Sequence, residues 1–373
     1  QAAGRDPAEA DSLLLRHGAS RRAQAIADLA AYQEACRILE GLAAGGRKDV
    51  LDRLALLCTQ MALVHESQDD IPGAVSAYDR AIALYERLIE KERRRDSAVP
   101  LAQTLMDKAN AVARLGDRRS AIALYDRTIA VHERLLSRHE RRALAHSLAS
   151  TYMNKANALH AQGEDQAALA LYDQALDIHE RLIEQEGGQD HIRSLGLTCM
   201  NKGNALHALG DDRAAIALHK RAIEAYERLV NEEGRQDLAG ELARSYLNKA
   251  AAERDLGDNR GAAVLYDWAI AAYERAVGQG GQREYADELA TALYCKALTV
   301  AAFGARQDAV TLCDRALAIY ADLIEREGRR ELRGHQAKVR AYRAYSLARI
   351  GDLDRARSEA CEALAILQQE VAR

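Results

Sequence analysis

Residues 153–165 read MNKANALHAQGED, and residues 200–212, 47 positions further on, read MNKGNALHALGDD. Two related stretches flank them at the same spacing: MDKANAVARLGDR at 106–118 and LNKAAAERDLGDN at 247–259. Self-similarity at a fixed period of roughly 20 to 50 residues is the signature of repeat architectures. The sequence therefore predicts one structural unit of 47 residues, repeated along most of the chain.

Each unit is predicted to consist of a helix, a tight turn and a second helix. Ala, Leu, Arg and Glu dominate the composition and only 3 prolines occur, which favours helix throughout. A glycine followed by an acidic residue marks the turn, because glycine readily ends a helix in the left-handed conformation and the acid caps the next helix. In the second helix, Ala121, Tyr125 and Thr128 share one helical face, and similar residues recur in the other units.

This pattern resembles the tetratricopeptide repeat over residues 48–373. That family has a glycine at the turn and alanine, aromatic and alanine positions down the second helix. The unit is longer than the usual length of about 34 residues, and in this respect it resembles the kinesin-light-chain style of repeat. Asn154, Asn201 and Asn248 fall where that style also places asparagine. The resemblance implies an all-α, right-handed α–α superhelical solenoid of helix pairs.

The resemblance also suggests how the chain is divided. Residues 48–373 are predicted to form seven 47-residue repeats in one continuous solenoid. We interpret residues 1–47 as a degenerate capping repeat, with a short helix near residues 8–16 and a longer one near residues 24–42, because a solenoid needs its end protected. No polar capping helix follows the last repeat, so we expect either that the natural chain continues, or that another protein or a second copy of the chain covers this end.

Composition and charge bear on the classes of partner. The chain has 52 basic and 56 acidic residues and a net charge of −4, which disfavours binding to nucleic acid. No apolar run approaches the roughly 18 residues of a membrane-spanning helix, so no membrane partner is expected. The six cysteines form no CxxC pair, and we interpret them as buried free thiols in a reducing compartment. These features predict a cytoplasmic protein, and the Arg- and Ala-rich composition suggests a bacterial one.

Motifs of catalysis are weak in this sequence. Residues 139–143, HERRA, begin like the HExxH motif of zinc proteases, but alanine stands where the second histidine is needed. No glycine-rich phosphate loop followed by Lys-Ser or Lys-Thr occurs, and no GxSxG motif occurs. We therefore predict that the chain is not an enzyme and uses no metal or cofactor.

The first helix of each unit carries a recurring polar face, which the family resemblance places along the concave surface. Asparagines three residues apart stand on one side of a helix, and each amide both donates and accepts hydrogen bonds. A ladder of such amides could bind the backbone of an extended peptide, or the asparagines could bond to one another and fix the stacking. The candidate residues of this face are Asn110, Asn154, Asn157, His160, Asn201, Asn204, His207, Asn248 and Arg254.

A row of basic residues keeps the same 47-residue spacing: Lys108, Lys155, Lys202, Lys249 and Lys296, followed by Arg343. Lysine stands here where the family usually has leucine. One alternative is that each lysine packs its stem and pairs with an acid of the neighbouring helix, such as Asp126 or Asp173. The other is that the row from Lys108 to Lys249 forms a basic stripe for an acidic partner.

Together these features predict a scaffold for protein–protein interaction. Its concave groove would bind an extended peptide or a helix of a partner protein through the asparagines and lysines. The principal alternative is the sensor or regulatory arm of a larger bacterial signalling protein or enzyme. A nucleic-acid-binding helical repeat is less favoured because the net charge is negative.

Overall fold

The computed structural model describes residues 21–136, 142–278 and 281–371. Within these ranges all the regular secondary structure is helical, as the composition predicted. The short helix expected near residues 8–16 lies outside the described residues, whereas the helix expected near residues 24–42 is present as α1. The α-helices of the described ranges are α1 (Arg21–Ala44), α2 (Leu51–Ser67), α3 (Ile71–Glu90), α4 (Ala98–Arg114), α5 (Arg118–Leu136), α6 (Arg142–His160), α7 (Asp165–Glu186), α8 (Gln189–Ala208), α9 (Asp212–Glu227), α10 (Ala239–Asp255), α11 (Asn259–Gly278), α12 (Ala286–Ala302), α13 (Arg306–Arg326), α14 (Arg333–Ile350) and α15 (Leu353–Val371).

The chain forms two compact units that divide after Leu182, within α7. The first unit contains α1 to α6 and most of α7, and the second contains the rest of the chain. Within each unit, every helix packs mainly against the helices next to it in sequence. The helix pairs are therefore stacked in chain order, which is the arrangement of a solenoid.

The turns inside the helix pairs follow the sequence pattern closely. Gly210 has a φ of 80°, in the left-handed region, and ends the first helix of its pair. The Asp211 carboxylate then accepts a 3.1 Å hydrogen bond from the Ala214 backbone N–H and caps α9. In the first pair Asp69 takes the glycine position with a φ of 60°, because this chain reversal needs a positive φ whichever residue is there.

Side chains at the small and aromatic positions of the second helices form the core. Ala121 and Thr128 are fully buried, and Tyr125 between them is 2% exposed. The equivalent aromatic position holds other residues in three pairs: His219 and Cys313, which are buried, and Ala360, which is exposed. Small residues on either side of a large one allow neighbouring helices to approach closely while the aromatic ring fills the space between them.

The expectation that the cysteines are buried is wrong for one of them. Cys361 is exposed, although four other cysteines are buried and Cys295 is partly buried. Cys361 occupies the position that Asp267 and Asp314 hold in the two preceding pairs, and their side chains are about half exposed to solvent. Helical periodicity was a poor guide here because this face of the second helix points away from the core.

Candidate partner-binding face

The predicted site residues lie on four of the first helices, and all are partly buried. They all stand in the second halves of those helices, towards the turn inside each pair. α4 carries Lys108 and Asn110; α6 carries Asn154, Lys155, Asn157 and His160; α8 carries Asn201, Lys202, Asn204 and His207; and α10 carries Asn248, Lys249 and Arg254.

Asparagines of successive helix pairs bond to one another. Asn154 Nδ2 donates a 3.1 Å hydrogen bond to Asn110 Oδ1 in the first unit. Asn248 Nδ2 donates a 2.9 Å bond to Asn204 Oδ1 in the second unit. Both bonds join residues 44 positions apart, so the same contact recurs in both units. The asparagines therefore do join successive helix pairs, which is the stacking role considered as an alternative for them.

In two of the helix pairs a tyrosine of the second helix bonds to an asparagine of the first, which the sequence did not predict. The Tyr125 hydroxyl donates a 2.6 Å hydrogen bond to Asn110 Oδ1, the same oxygen that accepts from Asn154. The Tyr172 hydroxyl makes the equivalent 2.6 Å bond to Asn157 Oδ1. Burial raises the pKa of both tyrosines well above its usual range, so the hydroxyls remain donors at neutral pH. The available signal was the constant 15-residue spacing between asparagine and tyrosine.

The basic row is paired with carboxylates of the preceding second helix. Lys108 Nζ lies 2.5 Å from Asp79 Oδ1, and Lys155 Nζ lies 2.6 Å from Asp126 Oδ1. These ammonium groups are mostly covered, with side chains 16% and 18% exposed. The position that would hold the acidic partner of Lys249 is itself a lysine. Lys249 therefore contacts Glu253 of its own helix, at 3.4 Å. Lys296 and Arg343 follow the first pattern, with the acids Asp267 and Asp314.

The histidines of the face lie next to aspartates at the turns. His160 Nδ1 bonds to Asp165, and His207 Nδ1 lies 2.5 Å from Asp212 Oδ1. Each contact joins the end of the first helix of a pair to the start of its second helix. The outer nitrogen of His207, Nε2, lies 3.7 Å from a carboxylate oxygen of Asp255 in α10.

One of the equivalent asparagine positions of the first helices holds an aspartate instead. Asp107 of α4 occupies the position of Asn154 in the preceding pair, and burial raises its pKa to about 6. The nearby Glu66 carboxylate raises it further, while the hydrogen bond from Gln103 lowers it. A protonated Asp107 has an O–H donor where Asn154 has an N–H donor.

The described residues contain no group of three or more His, Cys, Asp or Glu side chains placed to hold a metal ion. Residues 139–141 of the HERRA string lie outside the described ranges. None of the described helices is both long enough and apolar enough to span a bilayer.

A stack of helix pairs with a buried aromatic at a fixed position and a polar first-helix face defines a helical-repeat interaction scaffold. The model of the tetratricopeptide repeat family matches residues 101–140, 148–192, 196–235 and 242–282. Residues 101–282 therefore contain four tetratricopeptide repeats, as the sequence predicted.

Solved structures with the same architecture support the fold. BtubC (BKLC) from P. vanneervenii is 21% identical with a TM-score of 0.56, covering 68% of this chain and 92% of its own. A signal transduction ATPase with a tetratricopeptide repeat sensor, from Pyrococcus horikoshii, is 12% identical with a TM-score of 0.61, covering 94% of this chain and 53% of its own. Aspartyl phosphate phosphatase F from Bacillus subtilis is 13% identical with a TM-score of 0.56, covering 97% and 88%. No match is found among curated proteins.

Proposed function

We propose that each unit binds an extended segment of a partner protein on its own first-helix face, by hydrogen bonds from its asparagines to the partner's main chain. Each unit offers one asparagine pair, Asn110 with Asn154 and Asn204 with Asn248. A peptide backbone alternates N–H and C=O groups, and an amide side chain can bind one of each.

The observation that supports this role is the fixed orientation of the donor asparagine. Asn154 makes one side-chain hydrogen bond with the described residues, to Asn110, and is partly exposed. Its second amide hydrogen and its Oδ1 therefore remain available. Because the bond to Asn110 fixes which way the amide faces, a ligand would not have to order it, which reduces the entropy cost of binding.

The lysines have a different role in this proposal. Lys108 and Lys155 each have a carboxylate partner within the chain, so they fix the approach of one helix pair to the next. A basic stripe for an acidic partner stays a prediction for this face, as do the sensor-arm alternative and the cytoplasmic location. The proposed interaction depends on main-chain hydrogen bonds and is expected to weaken little as salt is raised.

The test is affinity capture from lysate of the source organism, with mass spectrometry and then calorimetry on the captured partner. Asn154→Ala and Asn248→Ala are expected to weaken binding about tenfold each, since each removes hydrogen bonds to the partner's backbone. Lys220→Ala is the control, because its side chain is 68% exposed on the second helix α9. Circular dichroism verifies that every variant is folded. A partner that binds the double variant as tightly as wild type would show that the asparagines serve only to stack the repeats.

A further inference from the structure

A groove of about 760 Å³ lies in the first unit between α3, α4 and α5. Leu101 and Leu105 of α4 form its floor, and Ile89 and Val131 form its apolar walls. None of the candidate partner-binding residues lines it, so it is distinct from the asparagine face. Its volume falls in the range of ligand pockets, roughly 300–1,000 Å³.

The next helix pair shows what this space holds when it is filled. Position 152, which is 47 residues after Leu105, holds a tyrosine. The Tyr152 hydroxyl donates a 3.2 Å hydrogen bond to Glu133 Oε1, and Glu133 is the equivalent of Glu86 in the groove. The groove therefore has the carboxylate, which is here bound by Arg127, and lacks the tyrosine.

The second unit repeats the filled arrangement. Tyr246 also stands at the position of Leu105, and its hydroxyl donates to Glu227, which again is the equivalent of Glu86. The Tyr246 ring packs edge-on against Trp268 with 5.6 Å between the ring centres. Burial, the largest cause, raises the pKa of both tyrosines, to about 12 for Tyr152, so that each hydroxyl stays protonated and donates.

The rim of the groove is rich in arginine. Arg127 binds Glu86 at 2.5 Å across the mouth. Arg93 and Arg95 also line the groove and form no ion pair with the described residues. Arg93 is held at a φ of 59°, a left-handed conformation that is costly for a residue with a Cβ and tends to occur at functional sites. The equivalent positions of later pairs hold glycine with positive φ: Gly187, Gly234, Gly281 and Gly328.

We propose that this groove binds a tyrosyl side chain from an acidic segment of a partner protein. The phenol ring lies on Leu101 and Leu105, in the place that Tyr152 fills in the next pair. Its hydroxyl donates to Glu86, as Tyr152 donates to Glu133. Carboxylates next to the tyrosine bind Arg93 and Arg95, whose charges have no partner among the described residues.

The probe is a fluorescein-labelled pentapeptide with tyrosine between two pairs of glutamates, titrated with the protein in fluorescence polarisation. Saturable binding is expected, and the same peptide with phenylalanine in place of tyrosine should bind at least about tenfold more weakly, because the hydrogen bond from the peptide hydroxyl to Glu86 is then lost. Leu105→Tyr is expected to abolish binding by filling the groove from within. Glu86→Gln should weaken binding about tenfold.

Matched controls separate these effects from general changes in charge or folding. Glu274→Gln is the control for Glu86→Gln, since Glu274 pairs with Arg315 at 2.5 Å at the same place in a later pair, and it should leave binding unchanged. If Leu105→Tyr does not fold, Arg93→Gly serves in its place. Glycine adopts the φ of this position freely, and the loss of one rim charge should weaken binding about two- to fivefold.

Three results would overturn the proposal. The first is no saturable binding over the whole protein titration, and the second is equal binding of the phenylalanine peptide. The third is a dimer of the chain, seen by sedimentation, that Leu105→Tyr dissociates, since the occupant of the groove would then be a second copy.

Discussion

The Tyr125 hydroxyl donates to Asn110 Oδ1 at 2.6 Å, and the same bond joins Tyr172 to Asn157 one repeat later. In the first helix pair the asparagine position holds Leu63, and the hydroxyl of the equivalent Tyr78 is buried with no hydrogen-bond partner among the described residues. The tyrosine ring is needed to fill the core in all three pairs, whereas its hydroxyl is satisfied only where asparagine is present. This difference between repeats allows the contribution of the bond to the free energy of unfolding to be measured within one chain.

Leu63→Asn is expected to raise the free energy of unfolding by about 1 kcal/mol, because it gives the Tyr78 hydroxyl an acceptor. Leu63 is 42% exposed, so little apolar contact is lost. Urea denaturation of the variant and of wild type measures the difference. The control is the same substitution in a Tyr78→Phe background, where the gain should disappear. A gain of equal size in both backgrounds would mean that it does not come from this hydrogen bond.

The turn glycines predict opposite effects of one substitution at two positions. Gly210→Ala should lower the free energy of unfolding by about 1 kcal/mol, since its φ is 80° and no neighbouring atom lies within 4 Å of an added Cβ. Gly41→Ala should raise it by up to about 1 kcal/mol, because Gly41 lies within α1 with equally open space and an ordinary φ. Thermal denaturation of both variants checks the signs. A loss at both positions would indicate a steric rather than a conformational cause.

Much of the fold could be predicted from the sequence because the same residue pattern recurs in each repeat. The glycine of one turn is weak evidence, but Gly116, Gly163, Gly210 and Gly257 stand 47 residues apart and all take positive φ. The first turn was harder to recognise, since Asp69 adopts the same conformation without being glycine. The family and the fold class followed from this repetition.

The contacts of the site could be predicted less well, because a repeat period shows which residues are equivalent and not which residues touch. The bond from Asn154 to Asn110 crosses between helix pairs at a separation of 44 residues, which the 47-residue period conceals. The groove beside Leu105 was also missed. It lies where Leu105 stands in place of the tyrosine that two later repeats have, and a sequence pattern emphasises what is shared.

Asp107→Asn is expected to stabilise the protein at neutral pH. The folded-state pKa of Asp107 is about 6, above the unfolded value of roughly 3.9, so the folded state binds the proton more tightly. The loss of stability that comes from burying the ionised Asp107 is absent below pH 4, grows as the pH rises towards 6 and is complete above pH 6. The asparagine variant should therefore gain about 1–2 kcal/mol at pH 7.5 and little at pH 4.

Urea denaturation at the two pH values measures this difference. Asn154→Asp is the matched control in the next helix pair, where the change is reversed. It should cost stability at pH 7.5 and recover part of it at pH 4, when the new carboxyl can again donate to Asn110. A pH-independent effect of Asp107→Asn would contradict the assigned burial of the charge.

The buried His219 is expected to make the protein less stable as the pH is lowered. Burial lowers its pKa to about 4, and the neighbouring His207 lowers it further. The unfolded histidine binds a proton below about pH 6.5, so the contribution of neutral His219 is lost as the pH falls from 6.5 to 4. His219→Tyr should reduce that loss by roughly 2–3 kcal/mol, measured as the difference between the two proteins at pH 7 and pH 4.5. Identical pH dependence of both proteins would count against it.

Gly203 and His219 are expected to be energetically coupled. A Cβ at Gly203 would lie 2.6 Å from His219 Cε1, closer than real Cβ contacts come, whereas the equivalent Ala109 packs beside Tyr125 in another pair. Gly203→Ala should therefore cost about 1–3 kcal/mol alone, as overpacking of a core does. Combined with His219→Tyr, which restores the alanine and tyrosine of the other pairs, most of that cost should disappear. A double-mutant cycle by urea denaturation measures the coupling, and strictly additive effects would show that the glycine serves some need other than room for the histidine ring.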